Sequence, residues 1–170
     1  MLEKNSHLSH NTKESFLNQL LELEREFIPF SRFVNSSSPN RSLDFFQEHT
    51  FEKLNPLCGD RIQFRIRYDQ SGHIHSSEME AEACLVCKAM GVSIQKQFAS
   101  KTLPELLRSQ KNWEQGFWSP NNFDSIHEKN RENGFVDFEI FYQLNEFLPG
   151  RIKCALLPWE ALDKWNGVTA

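Results

Sequence analysis

The chain has 170 residues, a formal net charge of −4 and a hydrophobic share of 39%. This length suits a single domain that buries its own core without disulfide bonds. Acidic and basic residues alternate along the chain, which argues against the basic stripe of a nucleic-acid-binding protein. No apolar run approaches the roughly 18 residues of a membrane span.

The N-terminal segment, MLEKNSHLSHNTKE, is polar and mixed in charge, unlike a signal or transit peptide. We therefore expect a cytoplasmic protein that binds neither nucleic acid nor membrane. In a reducing compartment, the four cysteines are more typical of metal ligands, nucleophiles or core residues than of disulfides.

A first helix is predicted over residues 16–28, where Phe16, Leu20 and Leu23 recur at helical spacing. Asn11 or Thr12 can cap this helix, and Pro29 ends it. Residues 34–42 are rich in Ser, Asn and Pro, which predicts a loop.

The strongest strand signal is RIQFRIRY at residues 61–68, in which apolar and polar residues alternate. The turn sequence DQSG follows it, and residues 73–83 can return as a partner strand. Residues 49–55 are a candidate third strand.

Helical spacing returns from Cys84 onwards and predicts several further helices. A capping-box pattern at residues 102–105 marks a second helix start, residues 113–134 read as irregular, and residues 135–147 can form a helix. In the last segment Pro158 is unfavourable inside a helix, so regular helix is expected only from about Leu157.

The predicted fold is α+β, with a small antiparallel sheet of about three strands packed against several helices. A single domain is expected over residues 14–164, with a polar N-terminal tail at 1–13 and a C-terminal tail at 165–170.

Three cysteines fall at junctions between predicted elements. Cys58 precedes the strong strand, Cys84 lies where strand gives way to helix, and Cys154 follows a Pro-Gly break. Asp60 is two residues from Cys58 across a glycine, so a thiolate and a carboxylate can point at one ion. Such donors suit zinc or an iron–sulfur cluster, although packed core thiols remain the alternative.

Cys84 and Cys87 form a C-x-x-C pair that shares one helix face. The pair is compatible with a metal pair or a redox pair, and Cys87 is equally compatible with a packed thiol. Arg61, Arg65 and Arg67 share a strand face. This face is read as solvated, with a docking surface for an acidic partner as the alternative.

Two motifs resemble those of one family. NPLCGD at residues 55–60 resembles the N-P-x-C-G-D signature of the U-type iron–sulfur assembly proteins, the family of NifU N-terminal domains, IscU and SufU. RIKCALLPWEAL at residues 151–162 resembles the R-I-K-C-A-x-L-x-W-x-A-L form of the SufU branch. The resemblance covers roughly residues 14–164 and implies a SufE/NifU-like α+β fold.

The resemblance implies that Cys58, Asp60, Cys84 and Cys154 hold a zinc ion. In the SufU branch, Cys58 would accept persulfide sulfur from a pyridoxal-phosphate cysteine desulfurase of the SufS type. The protein would then be a sulfurtransferase-like accessory protein rather than a stand-alone enzyme. Lys153 favours this branch, because IscU-type members carry a histidine at that position.

The resemblance also leaves alternatives. An IscU- or NifU-like scaffold would assemble a [2Fe–2S] cluster, or bind iron, at the same positions and pass the cluster to other cluster-assembly proteins. A degenerate member would keep only a structural zinc ion. Ala83 stands where the family prefers glycine, and Cys87 is an additional cysteine that can replace Asp60 as a ligand.

Overall fold

The computed structural model describes residues 12–26, 31–34, 46–118 and 136–165. These ranges contain four β-strands and five α-helices with two 3₁₀ segments. In chain order they are α1 (Lys13–Arg25), β1 (Ser31–Val34), β2 (Gln47–Leu54), β3 (Arg61–Tyr68), β4 (Ile74–Glu82), α2 (Leu85–Gln97), α3 (Leu103–Trp118), a 3₁₀ helix (Val136–Gln143), α4 (Leu144–Phe147), a 3₁₀ turn (Pro149–Arg151) and α5 (Ile152–Leu162). Within the described ranges, every helix is too short or too polar to span a bilayer.

The four strands form one antiparallel sheet in the order β1-β4-β3-β2. The central strand β3 pairs Phe64 with Phe51 of β2 and with Met79 of β4, and all three side chains are buried. The predicted hairpin, the candidate third strand and the α+β class are therefore confirmed. The four-residue strand β1, which pairs with the outer edge of β4, is an addition that the alternation pattern did not predict.

One face of the sheet is covered by helices, and α2 is the central one. It packs against α1, α5 and β4, and its side chains Val86, Met90, Ile94 and Phe98 are buried as their spacing predicts. Thr12 caps α1, since its hydroxyl accepts a hydrogen bond from the Ser15 N–H at 3.2 Å. The helix ends at Arg25. Outside the described residues lie Pro29, most of the predicted 34–42 loop and nearly all of both predicted tails. The 14–164 domain limits stay a prediction.

The opposite face of the sheet is charged and internally paired. Arg65 contacts Glu78 at 3.0 Å and Arg67 contacts Glu48 at 3.8 Å, while Arg61 pairs with Glu52. Each pair joins two strands and is exposed, so each contributes at most about 1 kcal/mol. Because these arginines already have acidic partners, the solvated-face interpretation is favoured over a docking surface.

The irregular structure predicted for residues 113–134 is wrong at its start, because α3 continues to Trp118. Leu103, Leu106, Gln110 and Trp113 are buried at helical spacing. The indole N–H of Trp113 also donates to the Phe138 carbonyl at 3.3 Å. Residues 119–135 lie outside the described residues. The helix predicted over 135–147 is found mainly as a 3₁₀ helix followed by the short α4.

The expected late start of the last helix is also wrong, because α5 begins at Ile152 and contains Pro158 in its interior. A proline here removes one helical N–H, the one that would reach the Cys154 carbonyl, at a cost of roughly 3 kcal/mol. Burial of Ile152, Leu156 and Trp159 along the same helix offsets that cost. Cys154 consequently sits in the first turn of a regular helix.

The β3–β4 turn rests on the start of α3. The predicted capping box is present, since the Thr102 N–H donates to Glu105 Oε2 at 2.8 Å and the Glu105 N–H donates to Thr102 Oγ1 at 3.4 Å. The Leu103 N–H donates to the Gly72 carbonyl at 2.9 Å. Gly72 has φ +82°, and a Cβ there would lie 2.7 Å from Pro104 Cδ.

We expect Gly72→Ala to lower the free energy of unfolding by about 2–4 kcal/mol, because it combines a left-handed backbone strain of about 1–2 kcal/mol with a collision against a rigid proline ring. Gly150→Ala is the matched control, since a Cβ at Gly150 meets no atom within 4 Å. Urea denaturation of both variants measures the difference. Equal midpoints for the two variants would contradict the close packing of this turn on α3.

Candidate metal centre

The turn between β2 and β3 holds Cys58 at its tip. The Asn55 N–H donates to the Asp60 carbonyl at 2.8 Å, and the Gly59 N–H donates to the Asn55 carbonyl at 2.9 Å. The Asn55 side chain also accepts the Leu57 N–H at 3.0 Å. Gly59 has φ +77°, a conformation that favours glycine. As a result the Cys58 side chain is exposed, whereas that of Asp60 turns inwards and is only 6% exposed.

Asp60 joins this turn to the start of α2. Its Oδ1 accepts a hydrogen bond from the backbone N–H of Cys84 at 3.0 Å. Its Oδ2 is buried and has no hydrogen-bond partner. A buried, unpartnered carboxylate oxygen is uncommon and costly in folded proteins, so this atom is a natural position for a cation.

Cys154 reaches the same place from the last helix, α5. It is the third residue of α5 and is 3% exposed. The guanidinium of Arg151 lies one turn earlier, with Nη1 4.0 Å from Cys154 Sγ. The buried apolar face of α5 therefore fixes the position of this sulfur atom.

Three predicted ligands converge into one group. One ligand atom each of Cys58, Asp60 and Cys154 all lie within 4.8 Å of one another. In a tetrahedral zinc site, bonds of 2.0–2.3 Å place neighbouring ligand atoms about 3.3–3.8 Å apart. Small side-chain rotations would bring the present atoms to that spacing, so the donor set fits a zinc ion.

Cys84 borders this group and is not one of its three members. It is the N-cap residue of α2 and is partly buried. Its backbone N–H binds Asp60, and its thiol lies within interaction range of Asp60 and Cys154. Cys87, by contrast, is fully buried inside α2. The carboxylate of Asp60, and not the thiol of Cys87, is a member of the group.

Burial and neighbouring groups set the ionisation of these side chains. Burial raises the pKa of Cys154 to about 12, with nearby Cys84 acting in the same direction and Arg151 opposing it. Burial also raises the pKa of Cys84, although the Cys87 backbone N–H acts against this. For Asp60, burial opposes ionisation, but the hydrogen bond from the Cys84 N–H and the nearby thiol groups of Cys84, Cys154 and Cys58 hold the pKa of its carboxyl below the usual value.

Sequence reasoning missed the part played by Asn55. Its backbone and side chain make three of the hydrogen bonds that close the 55–60 turn. The signal was present in the Asn-Pro dipeptide, because an asparagine before a proline commonly starts a turn by bonding to the backbone two residues on.

Similarity to known proteins agrees with the motifs around Cys58 and Cys154. No protein-family model matches the chain. Over 110 residues the chain is 29% identical to the zinc-dependent sulfurtransferase SufU of Bacillus subtilis (strain 168), a match that covers 65% of this chain and 69% of that protein.

Two solved structures share the fold. One is FiSufU of Fervidobacterium islandicum AW-1, described as an iron–sulfur cluster assembly scaffold protein for the SUF system, with a TM-score of 0.61 and 23% identity over 85% of this chain and 91% of that one. The other is the N-terminal part of a NifU-like protein from Brucella abortus, with a TM-score of 0.60 and 14% identity over 89% and 92% of the two chains. At these identities the structures establish the fold alone.

The motifs around Cys58 and Cys154, the sequence relative and the shared α+β fold lead to one conclusion. The chain is similar in sequence to a SufU protein and shares its fold with proteins of the U-type iron–sulfur assembly family of NifU, IscU and SufU proteins.

Proposed function

We propose that this protein is a SufU-like component of iron–sulfur cluster assembly that binds zinc and accepts sulfur from a cysteine desulfurase. The observation that carries the proposal is the convergence of Cys58, Asp60 and Cys154 within 4.8 Å. The sequence similarity to a zinc-dependent sulfurtransferase gives it further support.

In this proposal Cys58, Asp60, Cys84 and Cys154 hold the zinc ion. Thiolates and a single carboxylate are donors that zinc accepts in tetrahedral geometry. When bound, zinc keeps its cysteine ligands in the thiolate form. The unpartnered Oδ2 of Asp60 supplies the carboxylate donor, while its Oδ1 stays bonded to the Cys84 N–H.

Cys58 is the sulfur acceptor in the proposed reaction. It is the exposed cysteine of the group, whereas Cys154 is buried, so Cys58 is the thiol that a second protein can reach. Its thiolate attacks the outer sulfur of the persulfide on the desulfurase. The bond between the two persulfide sulfurs breaks, the desulfurase cysteine leaves as a thiolate, and the outer sulfur remains on Cys58.

The partner in this scheme is a pyridoxal-phosphate cysteine desulfurase, and later cluster-assembly proteins would take the sulfur onward in the cytoplasm. The protein then acts as an accessory sulfurtransferase. Arg151 and Lys153 are exposed beside Cys154 and provide positive charge near the acceptor. Positive charge next to a thiolate site favours the approach of an anionic persulfide.

We expect anaerobically purified protein to carry about one zinc ion per chain, as a single four-ligand site requires. Cys154→Ser and Asp60→Ala should each lose most of this zinc, because each removes a donor from the converging group. Cys87→Ser is the matched control and should retain zinc, since Cys87 is fully buried within α2 and is not one of the four proposed ligands. Elemental analysis of the purified variants provides the measurement.

Two outcomes would count against this ligand set. Loss of zinc in Cys87→Ser with retention in Asp60→Ala would make Cys87 the fourth ligand. Iron and sulfide with visible absorption in the wild-type protein, in place of zinc, would instead indicate a cluster scaffold.

We expect Cys58→Ser to abolish the stimulation of a cysteine desulfurase that is supplied with free cysteine. The hydroxyl cannot accept a persulfide sulfur, so turnover should fall to the level of the desulfurase alone. Cys87→Ser should stimulate like the wild type. Mass spectrometry of the tryptic peptide 54–61 should show the added sulfur on Cys58. Undiminished transfer by Cys58→Ser would refute the assigned acceptor.

A further inference from the structure

Cys84 and Cys87 are placed as a dithiol pair at the start of α2. The Lys88 N–H donates to the Cys84 carbonyl at 3.1 Å, so a helical turn is already closed over residues 84–88. Cα atoms three residues apart in such a turn are separated by about 5 Å. This separation lies within the roughly 4.4–6.8 Å that a disulfide can bridge. The backbone N–H of Cys87 also faces the Cys84 thiol.

The two thiols differ in access and in use. Cys87 is 0% exposed and has no part in the proposed metal site or in sulfur acceptance. A buried cysteine is usually a small apolar side chain. Here, however, its neighbour one turn earlier is a partly exposed cysteine that the proposed function uses as a zinc ligand. The buried thiol therefore lies one turn from a cysteine that is partly open to solvent.

We propose that Cys84 and Cys87 form a reversible disulfide that removes Cys84 from the zinc site, an inference that rests on the zinc site of the proposed function. The oxidant is a low-molecular-weight disulfide. The Cys84 sulfur attacks one sulfur of this oxidant and releases the first small thiol. The Cys87 sulfur then attacks Cys84 in the mixed disulfide and releases the second small thiol, which takes the Cys87 proton, while the first one, displaced by the zinc-bound Cys84 thiolate, takes its proton from water.

Oxidation would leave Cys58, Asp60 and Cys154 as the donors. The Cys84 N–H would still bind Asp60 Oδ1, because the disulfide changes only side-chain atoms. A three-donor site holds zinc less tightly than a four-donor site. Loss of an outer-shell partner of a metal ligand lowers metal affinity by roughly 10- to 100-fold. We expect loss of a direct ligand to lower the affinity for zinc by at least as much. The pair would thus link metal loading, and with it sulfur acceptance, to the thiol–disulfide state of the surroundings.

The sequence allows a direct test by peptide mapping. Trypsin cuts after Arg67 and after Lys88, so peptide 68–88 contains both Cys84 and Cys87 and no other cysteine. Cys58 and Cys154 fall in separate peptides, 54–61 and 154–164. Zinc-loaded protein is treated with oxidised glutathione. Released zinc is followed with a colorimetric chelator, and the remaining thiols are blocked before digestion.

We expect peptide 68–88 to lose two hydrogens in step with zinc release, and dithiothreitol with added zinc to reverse both changes. Cys87→Ala, which keeps all four proposed ligands, should release zinc at least about tenfold more slowly, given that its Cys84 has no resolving thiol.

The inference is overturned if peptide 68–88 stays reduced while zinc is lost, if it becomes cross-linked to 54–61 or 154–164 instead, or if Cys87→Ala releases zinc as fast as the wild type. The peptide map decides the question even if Cys87→Ala folds poorly. Failure of the reduced wild-type protein to bind zinc at all would instead count against the proposed function.

Discussion

The candidate site depends on the hydrogen bond between Asp60 Oδ1 and the backbone N–H of Cys84. It links the β2–β3 turn directly to Cys84, the N-cap residue of α2. A charged, largely buried hydrogen bond of this kind contributes roughly 1.5–3 kcal/mol. It also holds the carboxylate in place, and the second oxygen, Oδ2, is buried without a partner of its own in a side chain that is grouped with Cys58 and Cys154. The same bond therefore joins two elements and leaves one ligand atom available.

The three cysteines proposed as donors are held by different kinds of structural support. The turn holding Cys58 is fixed by backbone hydrogen bonds, and its exposure follows from the sharp reversal at Gly59. Cys154 is fixed by packing, because the buried face of α5 determines where its first turn lies. Cys84 is fixed by the end of β4 and the start of α2. A site assembled from three supports can keep two sulfurs in place while the exposed one changes partner.

Much of this arrangement could be predicted from the sequence, and the failures have physical causes. Strict alternation identified β3, and helical spacing identified the buried face of α2, because both signals are local. The edge strand β1 was not predicted, because four residues carry little alternation pattern and its pairing with β4 is non-local. Pro158 suggested a late start to α5, yet burial of neighbouring side chains outweighed one missing hydrogen bond. The motifs located Cys58, Asp60 and Cys154, but only the fold could show that their ligand atoms meet.

The positions of Asp60 and Cys87 explain why the carboxylate, rather than the additional thiol, belongs to the group. Asp60 follows Cys58 through a glycine with positive φ, so the two side chains can point to a common centre from one turn. Cys87 lies one helical turn beyond Cys84 and is directed into the core, where burial raises the pKa of its thiol. A sulfur that is buried, protonated and outside the group is poorly suited to bind an ion there. Its position one turn beyond Cys84 instead makes it the partner of Cys84 in the proposed disulfide.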